Sequence, residues 1–168
     1  MKNQLISKLI FLSITLFCWS ETKISAQVLV VTDKSDAHAN RIRSAINSNR
    51  EIVNYIEYTL ASRGLPKHLR NLSLLESGFY NGSVSSAGAV GIWQIMPGHA
   101  SDNGLSLEDR ADVYRSTQVA ANSLTKLYNK YKNWITVLAA YNCGEGNIAK
   151  AMAKAGSTNY EDYYIYLP

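Results

Sequence analysis

Leu74-Leu75-Glu76-Ser77-Gly78-Phe79 is the stretch on which the reading of this chain turns. It closes a short amphipathic segment that Pro66 can open at a first helical position and Gly78 can end. Between them Leu69 and Leu72 recur at helical spacing, and Glu76 falls on the same stripe, four residues beyond Leu72. A carboxylate on an apolar face is costly to ionise, because burial disfavours the charged form. The negative end of the helix dipole acts in the same direction. Both effects raise the pKa and leave a carboxylic acid able to donate a proton near neutral pH. The plainer alternative is a structural glutamate bonded to neighbouring backbone, and these residues alone leave both open.

Outward from that segment the chain reads as helices separated by glycine-rich connections. On the N-terminal side, Ser48-Asn49-Arg50-Glu51 has capping-box spacing, and Ile52, Val53, Ile56 and Leu60 continue as a helical stripe to Gly64. On the other side Gly78, Gly82, Gly88, Gly91, Gly98 and Gly104 punctuate a long stretch. One short helical segment is expected there, at 92–95, before Pro97. A connection this long in a compact domain is usually functional. A second helical block begins at Ser116 or Thr117 and carries Val119, Leu124, Leu127, Tyr128 and Tyr131. A third covers 134–141, and a fourth, 147–155, ends at Gly156. With no internal repeat and no strand alternation after residue 32, the predicted class is mainly α.

The first 26 residues have the layout of a secretory signal peptide. Lys2 and Lys8 precede or open an apolar run from Leu9 to Trp19, and Ile24-Ser25-Ala26 offers a small residue for cleavage before Gln27. The run is shorter than the roughly 20 residues of a membrane span, so no stable span is expected after removal, an uncleaved anchor being the alternative. Lipidation at Cys18 is disfavoured by the bulky Phe17. The formal charge of +4 includes Lys2, Lys8 and Lys23 against Glu21, so it falls to +2 without the leader. That is too little to argue for nucleic acid or anionic lipid. Cys143 is then the sole cysteine and no intrachain disulfide can form. His38, His68 and His99 have no paired spacing, so neither a metal site nor a cofactor is expected. Residues 27–46, opening with Val28-Leu29-Val30-Val31, read as a linker or arm with an ill-defined helical end. Residues 47–168 suffice for one domain with a core.

Three further stretches bear on Glu76. They are Ser85-Ser86-Ala87-Gly88-Ala89-Val90-Gly91-Ile92-Trp93-Gln94, then 97–112, then Ala139-Ala140-Tyr141-Asn142-Cys143-Gly144-Glu145-Gly146. Together with Glu76-Ser77, they resemble the transglycosylase domain of the soluble and membrane-bound lytic murein transglycosylases, related to goose-type lysozymes in glycoside hydrolase family 23. The Gly-Ile-Trp-Gln form of the second motif is closest to the membrane-bound D branch. Four separated motifs in order, over 47–168, make the likeness specific.

The resemblance implies a lysozyme-like, mainly helical fold with a sugar-binding groove that cleaves the glycan strands of peptidoglycan. Glu76 would be the sole catalytic acid and base, supported by a hydrogen bond from Ser77. Gly88 and Gly91 would let backbone approach the sugar, and Gln94 would line the groove. Tyr141 and Asn142 would lie near Glu76 and contact the reacting sugar. The remaining acids offer no good second carboxylate of the kind ordinary glycosidases use. Asp102, Glu108, Asp109 and Asp112 read as surface pairs or a cap for the next helix, and Glu145 as a partner of local backbone. A one-carboxylate site takes its nucleophile from the substrate. Glu76 would protonate the glycosidic oxygen and then accept the proton of the sugar's C6 hydroxyl as it closes onto C1. The product would be a 1,6-anhydro end, with no water consumed.

Of the aromatic residues, Trp134 and the tyrosines at 128 and 131 read as packing, whereas Trp93 is balanced between core and sugar platform. In the family, a Leu-Pro like Leu167-Pro168 precedes a Glu-Thr pair and a tyrosine near the catalytic glutamate. With the sequence given ending at Pro168, one of Tyr163, Tyr164 and Tyr166 would substitute, or the groove would be more open. A hydrolytic muramidase is the nearest rival, disfavoured because no aspartate beside the second motif stands ready to position water. A weakly catalytic glycan-binding accessory of an envelope-spanning assembly is the rival from another class. The expected location is the periplasm or cell envelope, the partner peptidoglycan glycan strands, with envelope-machine partners open.

Overall fold

A computed structural model describes residues 37–168. The leader expected over 1–26 and the β-prone run at 28–31 lie outside the described residues. The chain divides into two compact units, one ending at Ser48 and the other running Asn49–Pro168. In the first, the stretch read as an arm ends in a 12-residue helix, α1 (Ala37–Ser48). Asn40 and Arg43, one turn apart on it, are joined by a 2.8 Å hydrogen bond.

The second unit opens with α2 (Arg50–Ala61), whose Val53, Ile56 and Leu60 are buried as the stripe predicts. The capping box does not form, because Ser48 is itself the last residue of α1 and lacks the extended backbone of a cap. The single helix expected over 66–77 is instead a 3-10 turn, Lys67–Leu69, followed by α3 (Arg70–Ser77). Pro66 is extended (φ −60°, ψ 128°), so regular helix begins only after it. Gly78 closes α3 in the left-handed conformation (φ 66°) and donates its N–H to the Leu74 carbonyl at 2.9 Å, as its type allows. The fully buried side of α3 carries Asn71 and Ser73, not the leucine stripe. Leu72 and Glu76 are only half-buried.

Residues 78–96 form a loop held by two isolated antiparallel bridges, Val84 with Val90 and Val90 with Ile95. The helix expected at 92–95 is a tight turn instead. The left-handed backbone of Gly91 (φ 82°) and Gln94 (φ 47°) is incompatible with helix at either end of it. A helix not foreseen, α4 (Pro97–Asp102), follows with Pro97 in its first turn. After a 3-10 turn, Glu108–Ala111, the long helix α5 (Val113–Tyr131) crosses the unit. It starts three residues before the expected position because Asp112 caps it, accepting from the Arg115 N–H at 2.8 Å. Asp109 pairs with Arg115, so two members of the acidic cluster act as expected. Asn133 caps α6 (Trp134–Cys143) by accepting from Ile135 and Thr136 N–H groups. Then come α7 (Glu145–Ala155), ending at Gly156, and α8 (Tyr160–Tyr163), with a last 3-10 turn, Tyr164–Tyr166.

The core forms where α5 packs against α2 and α6, and α6 against α7. Ile56, Leu60, Leu124, Val137 and Ile148 are fully buried there. Each such side chain contributes about 1.5–3 kcal/mol. Small buried residues of α5, Ala120 and Ala121 among them, allow the close approach. Trp134 packs as expected, stacking on Tyr128 with ring centroids 4.3 Å apart. Of the C-terminal tyrosines, Tyr160 and Tyr163 are buried in the core and Tyr164 and Tyr166 are exposed. Tyr163 donates to Thr136 Oγ1 at 2.8 Å and meets Tyr160 edge-on, while Tyr164 stacks on Tyr160 and Tyr166 lies under Lys154. The described residues are mainly α, without a regular strand, and none of their helices is long and apolar enough to cross a membrane.

Candidate active site

Glu76 occupies the last turn of α3, half-buried. Its pKa lies above the ordinary carboxylate value, and burial alone is the cause. No neighbouring charge contributes to the shift, so the site holds one proton-carrying carboxylate rather than a coupled pair. The next residue fastens α3 to the glycine-rich loop. The Ser77 hydroxyl lies 3.1 Å from the Ile92 carbonyl and 3.1 Å from that of Ser73. It therefore spans backbone to backbone, where a bond to Glu76 was expected. From the other direction α6 brings Tyr141, whose hydroxyl donates to the Trp93 carbonyl at 3.2 Å. Burial drives the Tyr141 pKa far up, and the negative charge of Glu76 adds to it. Tyr141 is thus a neutral phenol within electrostatic reach of Glu76.

Both helices meet on the turn formed by Gly91-Ile92-Trp93-Gln94, and that turn is built tightly. A β-carbon on Gly91 would overlap the Arg110 carbonyl oxygen, with the carbonyl carbon at 3.1 Å. The close approach that demands glycine here is thus to the protein's own backbone. The Arg110 guanidinium is buried and holds the loop from beneath. It donates to the carbonyls of Gly88 at 2.8 Å, Ile95 at 3.2 Å and Leu107 at 2.9 Å. At Gly88 a β-carbon would meet open space, so its role is its left-handed backbone and this carbonyl. Gln94 keeps its unusual backbone because its Nε2 donates to Gly91 at 2.9 Å and Ser83 at 3.2 Å.

Beside the turn lies a cavity of about 490 Å³, lined in part by Trp93, Gln94, Tyr141 and Asn142. Its other walls come from α4 and α5 and include His99, Asp102, Ser123 and Lys126. Glu76 is not one of its lining residues; Tyr141 is the link, lining the cavity and sensing the Glu76 charge. Glu145 also lines it, but accepts from Lys130 at 2.5 Å and Tyr131 at 3.3 Å, not from the local backbone expected.

Of the residues grouped by sequence, Ser77, Gly88, Gly91, Gln94 and Tyr141 are joined through the 88–94 loop, Trp93, Gln94, Tyr141 and Asn142 line the cavity, and Glu76 is linked to them through its charge acting on Tyr141. Trp93 is corrected. The residue is 1% exposed and its Nε1–H donates to Thr117 Oγ1 at 2.8 Å, so the indole packs in the core while Trp93 still counts among the residues lining the cavity. Arg110 was missed, since an arginine in an acidic loop cluster reads as a surface residue. His99 was missed too: its Nε2 lies 2.8 Å from Ser123 Oγ, a pairing 24 residues apart that no local pattern signals. No three His, Cys, Asp or Glu side chains converge as metal ligands among the described residues.

The family described as the transglycosylase SLT domain matches residues 54–164. The chain belongs to this family. It is 35% identical over 115 residues to the membrane-bound lytic murein transglycosylase D of Escherichia coli strain K12, covering 63% of this chain. The protein of the same description from Escherichia coli O6:H1 matches to the same extent. The chain spans 25% of the length of these curated relatives, so it corresponds to one portion of them. Helices α3 through α6 fall inside the matched transglycosylase SLT region.

Proposed function

We propose that this chain cleaves the β-1,4 bond between N-acetylmuramic acid and N-acetylglucosamine in peptidoglycan, leaving 1,6-anhydro-muramoyl ends. The observation that carries the reading is Glu76: a single carboxyl whose pKa is raised by burial alone, in electrostatic reach of a phenol that lines a cavity, in a transglycosylase SLT domain. A raised pKa makes it hold its proton more tightly than an exposed glutamate does, which suits the first step, protonation of the leaving glycosidic oxygen. The resulting carboxylate then takes the proton of the C6 hydroxyl as that oxygen bonds to C1. With the hydroxyl held in place, attack is intramolecular, where effective molarities reach roughly 10⁵ M or more. Gln94, Tyr141 and Asn142 bind the sugar, Tyr141 as a neutral hydrogen-bond donor or acceptor. Ser77 positions Glu76 indirectly, by tying its helix to the loop, and Gly88 and Gly91 shape that loop. The substrate sets the place of action in the cell envelope, in keeping with the leader expected at 1–26.

The test is mass spectrometry of purified peptidoglycan digested with the protein and with its Glu76→Gln variant. Anhydro-ended fragments from the wild type, reduced by orders of magnitude in the variant, are expected. Reducing ends would mean that water, not the C6 hydroxyl, attacks. Full turnover by Glu76→Gln would remove Glu76 from the mechanism.

A further inference from the structure

Hydroxyl and acetamido groups of a glycan are neutral, and neutral ligands are held by hydrogen-bonding side chains and backbone. The lining by Gln94, Tyr141 and Asn142 answers that description. The lining contributed by α4 and α5 differs, because it presents ionic side chains of both signs, Asp102 at the end of α4 and Lys126 on α5. Neither joins an ion pair among the described residues. The other two charges of this region, Lys130 and Glu145, by contrast satisfy each other at 2.5 Å.

His99 ties the open charges together. Its ring is fixed against Ser123 Oγ, and its carbonyl accepts from Asn103 Nδ2 at 2.8 Å. Ser123 and Lys126 are three residues apart on α5 and so share a face of that helix. Burial pushes the His99 pKa down, Asp102 pushes it up and Lys126 pushes it down. Both side chains are therefore near enough to act on the same imidazole, which stays neutral at neutral pH. One wall thus holds a free cation and a free anion around a rigid neutral ring. A fitting ligand has carboxylate and ammonium groups a short distance apart.

On the reading that the substrate is peptidoglycan, we propose that the His99–Asp102–Lys126 wall recognises the charged peptide stem of the muramoyl sugar. Lys126 takes a stem carboxylate and Asp102 takes the ammonium of the stem's diamino acid. The consequence is a preference for stem-bearing strands over bare glycan. Both side chains are exposed, and charge pairs at such positions are each worth up to about fivefold in affinity.

The test uses soluble glycan strands with stems intact, and the same strands stripped by an amidase. Binding to the full chain carrying Glu76→Gln is measured by calorimetry, alone and combined with Lys126→Met or Asp102→Asn. Each second substitution is expected to weaken stem-bearing strands about three- to fivefold and stripped strands less than about twofold. Equal weakening of both, no weakening of either, or weakening confined to stripped strands (Lys126 holding the exposed lactyl carboxylate) would overturn the proposal. Thermal unfolding of each variant checks that the wall still folds. Because this readout is binding, a wild type that releases no anhydro fragments would sink the proposed reaction and leave this test standing.

Discussion

Replacing Gly91 by alanine separates two costs that usually arrive together. Gly88 and Gly91 both have positive φ, 84° and 82°. Holding an alanine there costs about 1–2 kcal/mol at either position. They differ in what a new methyl meets. At Gly88 there is open space, whereas at Gly91 the methyl overlaps the Arg110 carbonyl oxygen, a backbone atom that no rotamer change can move aside. Overpacking of that kind adds typically about 1–3 kcal/mol, so Gly91→Ala should lose roughly 2–5 kcal/mol in all. For a domain of this size each kcal/mol moves Tm by about 4 °C. Gly88→Ala should then melt about 4–8 °C below wild type, and Gly91→Ala about 8–20 °C below it and at least about 4 °C below Gly88→Ala. The assay is thermal unfolding of the three proteins followed by circular dichroism at 222 nm. Equal Tm values for the two variants would refute the reasoning, because the contact with Arg110 would then carry no weight.

Two further outcomes follow from the charges of the site. The folded-state pKa of Glu76 is raised, so the folded protein holds its proton more tightly than the unfolded chain does. That stabilisation is fully present below the unfolded value and is lost as pH rises through the folded value. Glu76→Gln, permanently neutral, should therefore match wild type near pH 4 and become the more stable protein towards pH 8, as read from Tm against pH. A constant gap across that range would mean Glu76 titrates normally. Arg110→Met leaves three carbonyls without their donor. It should destabilise by about 2–4 kcal/mol and cut turnover more than it weakens strand binding, since the loop bearing Gln94 loses its support. Unchanged urea unfolding would argue against this account.

Much of this was legible in the residues because local rules governed it. Helix α2 follows its stripe, α3 ends at Gly78, and α7 ends at Gly156, each where a periodic run meets a glycine. The errors cluster where a distant partner overrides a local pattern. Ile92, Trp93 and Ile95 are all buried, which in sequence resembles a helix face, yet they sit in a turn whose shape is set by Gly91 against Arg110. Trp93 could not be assigned to core or groove until its Nε1 found Thr117, 24 residues away. The helix α4 was hidden by its brevity and by Gly98 within it. Glu76 stood out on a leucine stripe that is not the buried side of its helix: Asn71 and Ser73 are buried, while Leu72 and Glu76 are half-buried. The cavity wall of His99, Asp102 and Lys126 was not legible, since α4 and α5 meet only in the folded chain.

The hydroxyls of Ser77 and Tyr141 come from different helices and end on the carbonyls of Ile92 and Trp93, which are consecutive residues. Neighbouring α-carbons across a trans peptide are about 3.8 Å apart whatever the side chains around them. The interval between the anchor of the acid-bearing helix and the anchor of the helix that walls the cavity is thus one peptide unit long. Side-chain packing can drift by fractions of an ångström as a core is repacked, but a bonded distance cannot. This domain gauges the separation of its two working helices with a ruler made of covalent bonds.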